Sequence, residues 1–373
     1  VFASDVDVAV VGAGIVGSAV AASCARGGAR VALVDPDPGS GATYAAAGML
    51  SPFGELEHTE AVAHALHVVA AEQYPSFVDG LPGGAAGCSY ERSATLLVGF
   101  DSADARRLDD LIPLANGAAR RIGMAQARRT EPLLAPGLSR ALVAEHDHRV
   151  DPRALAAAVR EELGDRVVRE PAEGLLRGAA GRTRGVRLAS GREIRADETV
   201  IAVGTGSFGA AELSGAVRPV HGDILRLRAP AAARLSGTVR GWVRGRAVYV
   251  VPRPDGTVVI GATQREDRDP GVWAGGVAAL LRDAIELVPA VEEYRFIEAT
   301  ARARPSTRDH LPLVGRLGDG LLAATGTHRN GVLLAPLIGA IIRSITSGTP
   351  PIVDISRLSP ARFATRPLEG VTA

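Results

Sequence analysis

Three glycines and a carboxylate form the first chemical pattern in the chain. Gly12-x-Gly14-x-x-Gly17 is followed by Asp35, close to the ~20-residue spacing at which an acid reaches the ribose of a bound dinucleotide. Gly12 permits a tight turn, Gly14 lets backbone approach a pyrophosphate, and Gly17 lets a helix pack closely on a strand. These roles require a strand before the glycines and a helix after them. Val6 to Val11 is a nearly continuous apolar run, Ser18 to Arg26 has helical composition, and Arg30 to Val34 is a second apolar run ending at Asp35. The spacing predicts strand, turn, helix and strand, with the helix N-terminus offering free N–H groups and a partial positive charge to phosphates. This unit binds a dinucleotide but does not separate NAD from FAD.

The elements that must complete the site lie far apart in sequence. The stretch 40–50, SGATYAAAGML, is almost free of bulky side chains, so its backbone can lie against a large planar ligand, and Gly48 opens conformations closed to other residues. Glu198 to Val203 reads as a buried parallel strand stopping at Gly204-Thr205-Gly206, and Leu321 to Thr325 as another. The second is followed by the turn 326–331 and a helix from Val332 to Ser347, stopped by Gly348 and Pro350. One sheet is therefore expected from three separate stretches of chain. Between them, Tyr90 to Gly99 and Val217 to Ile260 show short apolar runs, with a hairpin signal at Asp255-Gly256. Trp273 to Val288 is spaced as a helix, and Glu293 to Arg302 as a strand leading into Arg304-Pro305. These pieces fit a second, largely antiparallel domain inserted into the first.

The chain has 373 residues, 46% hydrophobic and 22% charged, with a net charge of +1. That excludes disorder and gives no footprint for nucleic acid. All 42 basic residues are arginine. Amine-based catalysis is closed to a chain without lysine, and phosphate or carboxylate binding falls to guanidinium or backbone. Cys24 and Cys88 are too few for a zinc cluster or a disulfide framework. The start lacks a basic segment ahead of its apolar run, and Val332 to Ile345 is too short and interrupted to span a bilayer. A cytoplasmic protein without membrane contact is the expectation.

Longer motifs carry a resemblance over nearly the whole chain: VVGAGIVGSAVA with Asp35, AAAGML at 45–50, HGDILRL at 221–227, VYVVPRPDGTVVIGAT at 248–263, RPSTRDHLPLVG at 304–315 and GTHRNGVLLAP at 326–336. With these, the sequence resembles the FAD-dependent oxidases of the D-amino-acid oxidase superfamily, and within it the glycine oxidases of thiamine biosynthesis. The resemblance implies an α/β fold: a Rossmann-like, glutathione-reductase-type FAD domain over residues 1–85, 146–216 and 305–365. An interleaved, largely antiparallel α+β substrate domain would take 86–145 and 217–304. It implies non-covalent FAD, since neither cysteine holds the late-chain position from which related sarcosine oxidases attach flavin. It implies O₂ as acceptor, hand-off to a thiazole synthase, and a homotetramer.

The family's site residues carry over motif by motif. Arg304 would bind the substrate carboxylate, a role suited to a guanidinium's bidentate geometry. Tyr249 would turn its hydroxyl to the substrate, with Arg329 and Met49 lining the site. Around FAD the resemblance places Gly12, Gly14, Ile15, Gly17 and Asp35, then Thr43, Ala46, Ala47, Gly48 and Met49, then Gly204, and finally His328, Arg329, Asn330, Gly331 and Val332. The implied reaction moves the α C–H hydride to flavin N5 and leaves an imine, which water hydrolyses to a keto acid and ammonia. FAD does that chemistry, so no catalytic side chain and no metal is required. His221, His310 and His328 are read as scaffold, and Asp151 as a helix cap. Gln264, where an apolar residue is common, and Ala247, where a larger polar one occurs, would widen or repolarise a pocket for glycine, sarcosine or small D-amino acids. An alternative is a dehydrogenase of secondary amines or 2-hydroxy acids with an acceptor other than O₂.

Overall fold

The computed structural model describes residues 5–55, 61–115, 117–209, 211–213, 215–267 and 269–363. Two large sheets share the chain. The first is ordered Leu313–Gly318, Leu321–Thr325, Glu193–Ile201, Asp5–Val11, Val31–Val34 and Val167–Val168. Asp5–Val11 runs parallel to Glu193–Ile201 on one side and to Val31–Val34 on the other, and Glu193–Ile201 is parallel to Leu321–Thr325. The beginning, middle and end of the chain thus meet in one sheet, as the three apolar returns predict. An antiparallel pair, Thr183–Leu188 and Ala172–Arg177, extends it.

Two helices pack side by side on this sheet. Ile15–Arg26 and Gly331–Ser347 approach so closely that a Cβ on Gly339 would sit 2.8 Å from the Ala19 carbonyl oxygen. The second helix is a sequence puzzle, because Pro336 lies inside it. Proline has no N–H to give the carbonyl four residues back. Here the Val332 carbonyl accepts the Tyr74 hydroxyl instead, at 2.5 Å. Tyr74 is fully buried on the helix Ala61–Asp79, so a third helix completes the hydrogen bonding of the second.

The other sheet is ordered Arg295–Ser306, Arg218–Arg228, Thr257–Gly261, Arg246–Pro252, Thr238–Val243, Thr95–Gly99, Arg140–Ala144 and Ala119–Ile122. It is antiparallel except where Thr238–Val243 runs alongside Thr95–Gly99. One face sets Leu225, Leu227, Val248, Val250, Val258 and Ile260 against the helix Ala274–Leu287. The opposite face sets Ile224, Val251 and Val259 against Ala45 and Ala47 of the small-residue segment. Burial on both faces explains why these strands read as continuous apolar runs rather than alternating ones.

The hairpin forms where Asp-Gly predicts it. The Asp255 carboxylate accepts the Thr257 N–H at 2.8 Å, and Gly256 takes φ +87°. One boundary differs from the sequence reading: the strand expected to end ahead of Arg304-Pro305 runs on to Ser306. It is an edge strand, one side of its backbone has no partner strand, and a proline is tolerated there. Among the described residues no helix is long and apolar enough to cross a membrane. Cys24 and Cys88 are buried free thiols.

Candidate active site

A cavity of about 380 Å³ runs between the two sheets, from the glycine turn to the face of the antiparallel sheet. At one end Gly12 and Gly17 shape the backbone as their spacing predicts. Gly12 has φ +103°, and a Cβ there would fall 2.5 Å from the Ala202 carbonyl oxygen, so the turn lies against the end of the middle strand. A Cβ on Gly17 would lie 1.9 Å from the Gly12 carbonyl oxygen, which fixes how closely the helix seats on the turn. Gly17 does not line the cavity; Gly12, Gly14 and Ile15 do. The Asp35 carboxylate also lines it and is held by two backbone donors, Ala13 N–H at 2.6 Å and Asp37 N–H at 2.8 Å. Thr43 Oγ1 accepts the Ile15 N–H at 2.9 Å, tying the small-residue segment to the first turn of the helix.

That segment is clamped by arginines from the helix Pro152–Leu163, from the strand Arg218–Arg228 and from the turn that follows Arg246–Pro252. The Tyr44 carbonyl accepts Arg153 Nε at 2.9 Å and Arg226 Nη2 at 3.0 Å, and the Ala47 carbonyl accepts Arg253 Nη2. Gly48 takes φ +75°, and a Cβ on it would meet the Val150 carbonyl oxygen at 2.0 Å. Only glycine fits there. Thr43, Ala46, Ala47, Gly48 and Met49 all face the cavity, as does Gly204, on which a Cβ would meet no protein atom within 4 Å.

The opposite end is built on the antiparallel sheet. Arg240, Tyr249, Gly261 and Ile224 stand side by side across four strands, so Arg240, Tyr249 and Ile224 point to one face. Gly261 makes room for the tyrosine: a Cβ on it would lie 2.4 Å from Tyr249 Oη. Gly222 does the same for Arg304, whose guanidinium nitrogens would be 2.4 Å and 2.6 Å from a Cβ there. Burial pushes the Tyr249 phenol up to about 12, so it stays a hydrogen-bond donor at neutral pH. Burial also lowers the Arg304 pKa, yet among the described residues Arg304 has no carboxylate partner, only the Thr263 carbonyl at 3.3 Å. A half-buried cation in a cavity wall, with no carboxylate in direct contact among the described residues, is suited to bind one.

The turn before the last helix joins the two ends. His328 N–H donates to the Pro305 carbonyl at 2.7 Å, and Ser306 pairs with Thr327, which brings the turn beside Arg304. His328, Arg329, Gly331 and Val332 line the cavity; Asn330 does not, and instead its carbonyl takes the Leu334 N–H at the helix start. His328 stacks on His310 with ring centres 4.3 Å apart, and burial drives its pKa down to about 2. Its Nδ1 is buried without a protein partner. His221 is scaffold: its ring contacts the Asp267 carbonyl at 3.1 Å and its backbone pairs with Arg265. Asp151 caps the helix Pro152–Leu163 through the Arg153 and Ala154 N–H groups.

Several lining residues escaped the sequence reading. Arg240 and Glu55 form a buried ion pair at 3.0 Å in the cavity wall. The signal for Arg240 was one charge in the strand Thr238–Val243, every residue of which is buried. Glu55 lies in an irregular segment with no such signal. That segment is anchored by Asp147, whose buried carboxylate accepts the Phe53 and Gly54 N–H groups at 3.1 Å and 2.8 Å. Ala247 and Gln264 both line the cavity, and Ala247 is exposed.

The lining fits a flavin dinucleotide. The glycine turn and Asp35 suit the phosphate and ribose end, and the small-residue segment leaves room for a ring system. Comparison with known proteins agrees. Residues 7–345 match the FAD dependent oxidoreductase family. The bifunctional protein ThiO/ThiG of Trichormus variabilis is 30% identical over 90% of this chain and 52% of its own length. The chain thus spans about half the length of these bifunctional relatives. The glycine oxidase of Geobacillus kaustophilus is 30% identical over 95% of this chain and 97% of its own. The crystal structure of glycine oxidase from that organism superposes with a TM-score of 0.85 at 28% identity, covering 96% and 99% of the two chains. Iminodiacetate oxidase from Chelativorans gives 0.83 at 27% identity, covering 95% and 98%.

Proposed function

This chain belongs to the FAD-dependent oxidoreductases, and we propose that it is an amino-acid oxidase acting on glycine and other small amines such as sarcosine and small D-amino acids. The observation that carries this reading is Arg304: a half-buried guanidinium without a carboxylate partner among the described residues, beside Tyr249, in the cavity that begins at the glycine turn. In our assignment Arg304 takes the substrate carboxylate in a charge-assisted pair. Tyr249, protonated at neutral pH, donates to the same group, and Met49 and Arg329 close the sides. Arg240 and Glu55 neutralise one another, so Arg304 is left to orient the substrate. FAD, when bound, supplies the acceptor for the α-carbon hydride and returns the electrons to O₂ as hydrogen peroxide.

Gly12, Gly14, Ile15, Asp35, the segment from Thr43 to Met49, Gly204 and the turn from His328 to Val332 are the residues we assign to FAD, with Gly17 and Asn330 shaping the turns they belong to. The first sheet with its helices, over 1–85, 146–216 and 305–365, is proposed as the FAD domain, and 86–145 with 217–304 as the substrate domain. The ThiO/ThiG fusions among its relatives support supply of the imine to thiazole synthesis, through a thiazole synthase partner in the cytoplasm. A homotetramer is the assembly the resemblance suggests. Product analysis tests the activity: with glycine in air the reading expects glyoxylate, ammonia and peroxide in equal amounts. Glyoxylate formed only with an artificial acceptor, and without peroxide, would make the protein a dehydrogenase.

A further inference from the structure

The motif HGDILRL contains a carboxylate that the reaction leaves without a task. Asp223 is wholly buried on the strand Arg218–Arg228, on the face away from the cavity. Its bonds converge on Thr263. The Asp223 N–H donates to Thr263 Oγ1 at 2.7 Å, the Thr263 hydroxyl donates to Asp223 Oδ2 at 2.8 Å, and the Thr263 N–H reaches the Asp223 carbonyl at 3.3 Å. Arg265 Nη2 lies 3.4 Å from Oδ1. From above, the first turn of the helix Ala274–Leu287 covers the carboxylate so closely that a Cβ on Gly276 would be 2.3 Å from Oδ2. The positive end of a helix dipole favours a negative charge at that place.

Thr263 is also the one residue whose carbonyl receives the Arg304 guanidinium among the described hydrogen bonds, at 3.3 Å from Nη1. That carbonyl and the guanidinium share the space over Gly222, where a Cβ would be 2.6 Å from Thr263 O. Arg304 is thus steered by a neutral carbonyl, and the carbonyl is steered by Asp223. The geometry points to Asp223 as the positioning residue for the carboxylate-binding arginine, acting through Thr263 and supplying the nearby negative charge that a direct partner would otherwise supply. A direct partner would block the site, since a carboxylate already paired with Arg304 would compete with the substrate's own. Held one residue away, the charge compensates the half-buried cation and leaves the guanidinium without a carboxylate that would compete with the substrate's.

This inference rests on the proposed role of Arg304, and the test separates the two. The FAD-loaded protein is titrated with glycolate, a carboxylate without an amine, and binding is read from the flavin spectrum. Asp223→Asn keeps the shape and removes the charge, and Thr263→Ser keeps the hydroxyl and the carbonyl. Asp223→Asn is expected to weaken glycolate about tenfold and to raise KM for glycine by a similar factor, with kcat within about twofold, as for the loss of one charge-assisted constraint. Thr263→Ser is expected to behave as the wild type, while Thr263→Val follows Asp223→Asn. Wild-type protein whose spectrum ignores glycolate would overturn the assignment of Arg304 and this inference with it. A wild-type response that Asp223→Asn leaves unchanged, or an equal loss in kcat and affinity, would overturn the inference alone.

Discussion

Arg304 sits where its loss is readable in one kinetic parameter. Removing the guanidinium deletes the proposed substrate anchor, and among the described residues its hydrogen bond goes to the Thr263 carbonyl, not to a residue assigned to FAD. Arg304→Ala is expected to raise KM for glycine roughly a hundredfold, about 3 kcal/mol, while the flavin spectrum stays intact. Loss of flavin in that variant would show that the arginine serves the cofactor. Asp147 behaves differently, through pH. Burial pushes its carboxyl up to about 7, against hydrogen bonds from Phe53 and Gly54 that favour the ion. A raised folded-state pKa contributes stability that is complete below the unfolded value of about 4 and is lost as pH rises through about 7. The denaturation midpoint of the wild type is therefore expected to fall, relative to that of Asp147→Asn, between about pH 4 and about 7. Parallel profiles would contradict this. Arg304 and Tyr249 were legible in sequence because they stand in long motifs. Glu55 and Asp147 were not, since each depends on an irregular segment whose path is fixed by contacts far away in sequence.

At the scale of elements, the last helix shows how a local rule is broken and repaired. Pro336 ought to weaken Gly331–Ser347, yet the Val332 carbonyl it deprives is filled by Tyr74. Tyr74→Phe keeps the ring and leaves a buried acceptor unpaired, at an expected cost of about 1–3 kcal/mol. Urea unfolding checks this, and an unchanged midpoint would mean that water replaces the hydroxyl. The helix itself was readable from its apolar run and Gly348, but its rescuer was not, because Tyr74 lies 258 residues away in sequence. The strand through Pro305 was cut short in the sequence reading for a related reason: whether a proline ends a strand depends on whether that strand is at an edge, and sheet order is a tertiary fact.

For the whole molecule, interleaving places the cavity at the seam of two sheets, so ligand binding and folding are coupled. FAD that binds the folded chain only will stabilise it by about 2.7 kcal/mol at a hundred times its dissociation constant. The melting temperature is expected to rise with added FAD, and acid precipitation is expected to leave the yellow colour in solution. Colour fixed to the precipitate would establish a covalent link. The three-part sheet was legible because each strand is a short apolar run ending in glycine. The clamping of the small-residue segment was not, because Arg153 of the helix Pro152–Leu163 and Arg226 and Arg253 of the second sheet and its turn reach it from distant places in sequence. The absence of lysine gains its meaning here: guanidinium groups clamp the small-residue segment, and in the proposed reading another binds the substrate. The central claim is that this cavity oxidises a small amino acid, and anaerobic mixing of the FAD-loaded protein with glycine, sarcosine, D-alanine and D-proline tests it most directly. Bleaching of the flavin by at least one of them, followed by peroxide on admitting air, is the predicted result; a flavin that stays yellow with all four would contradict it.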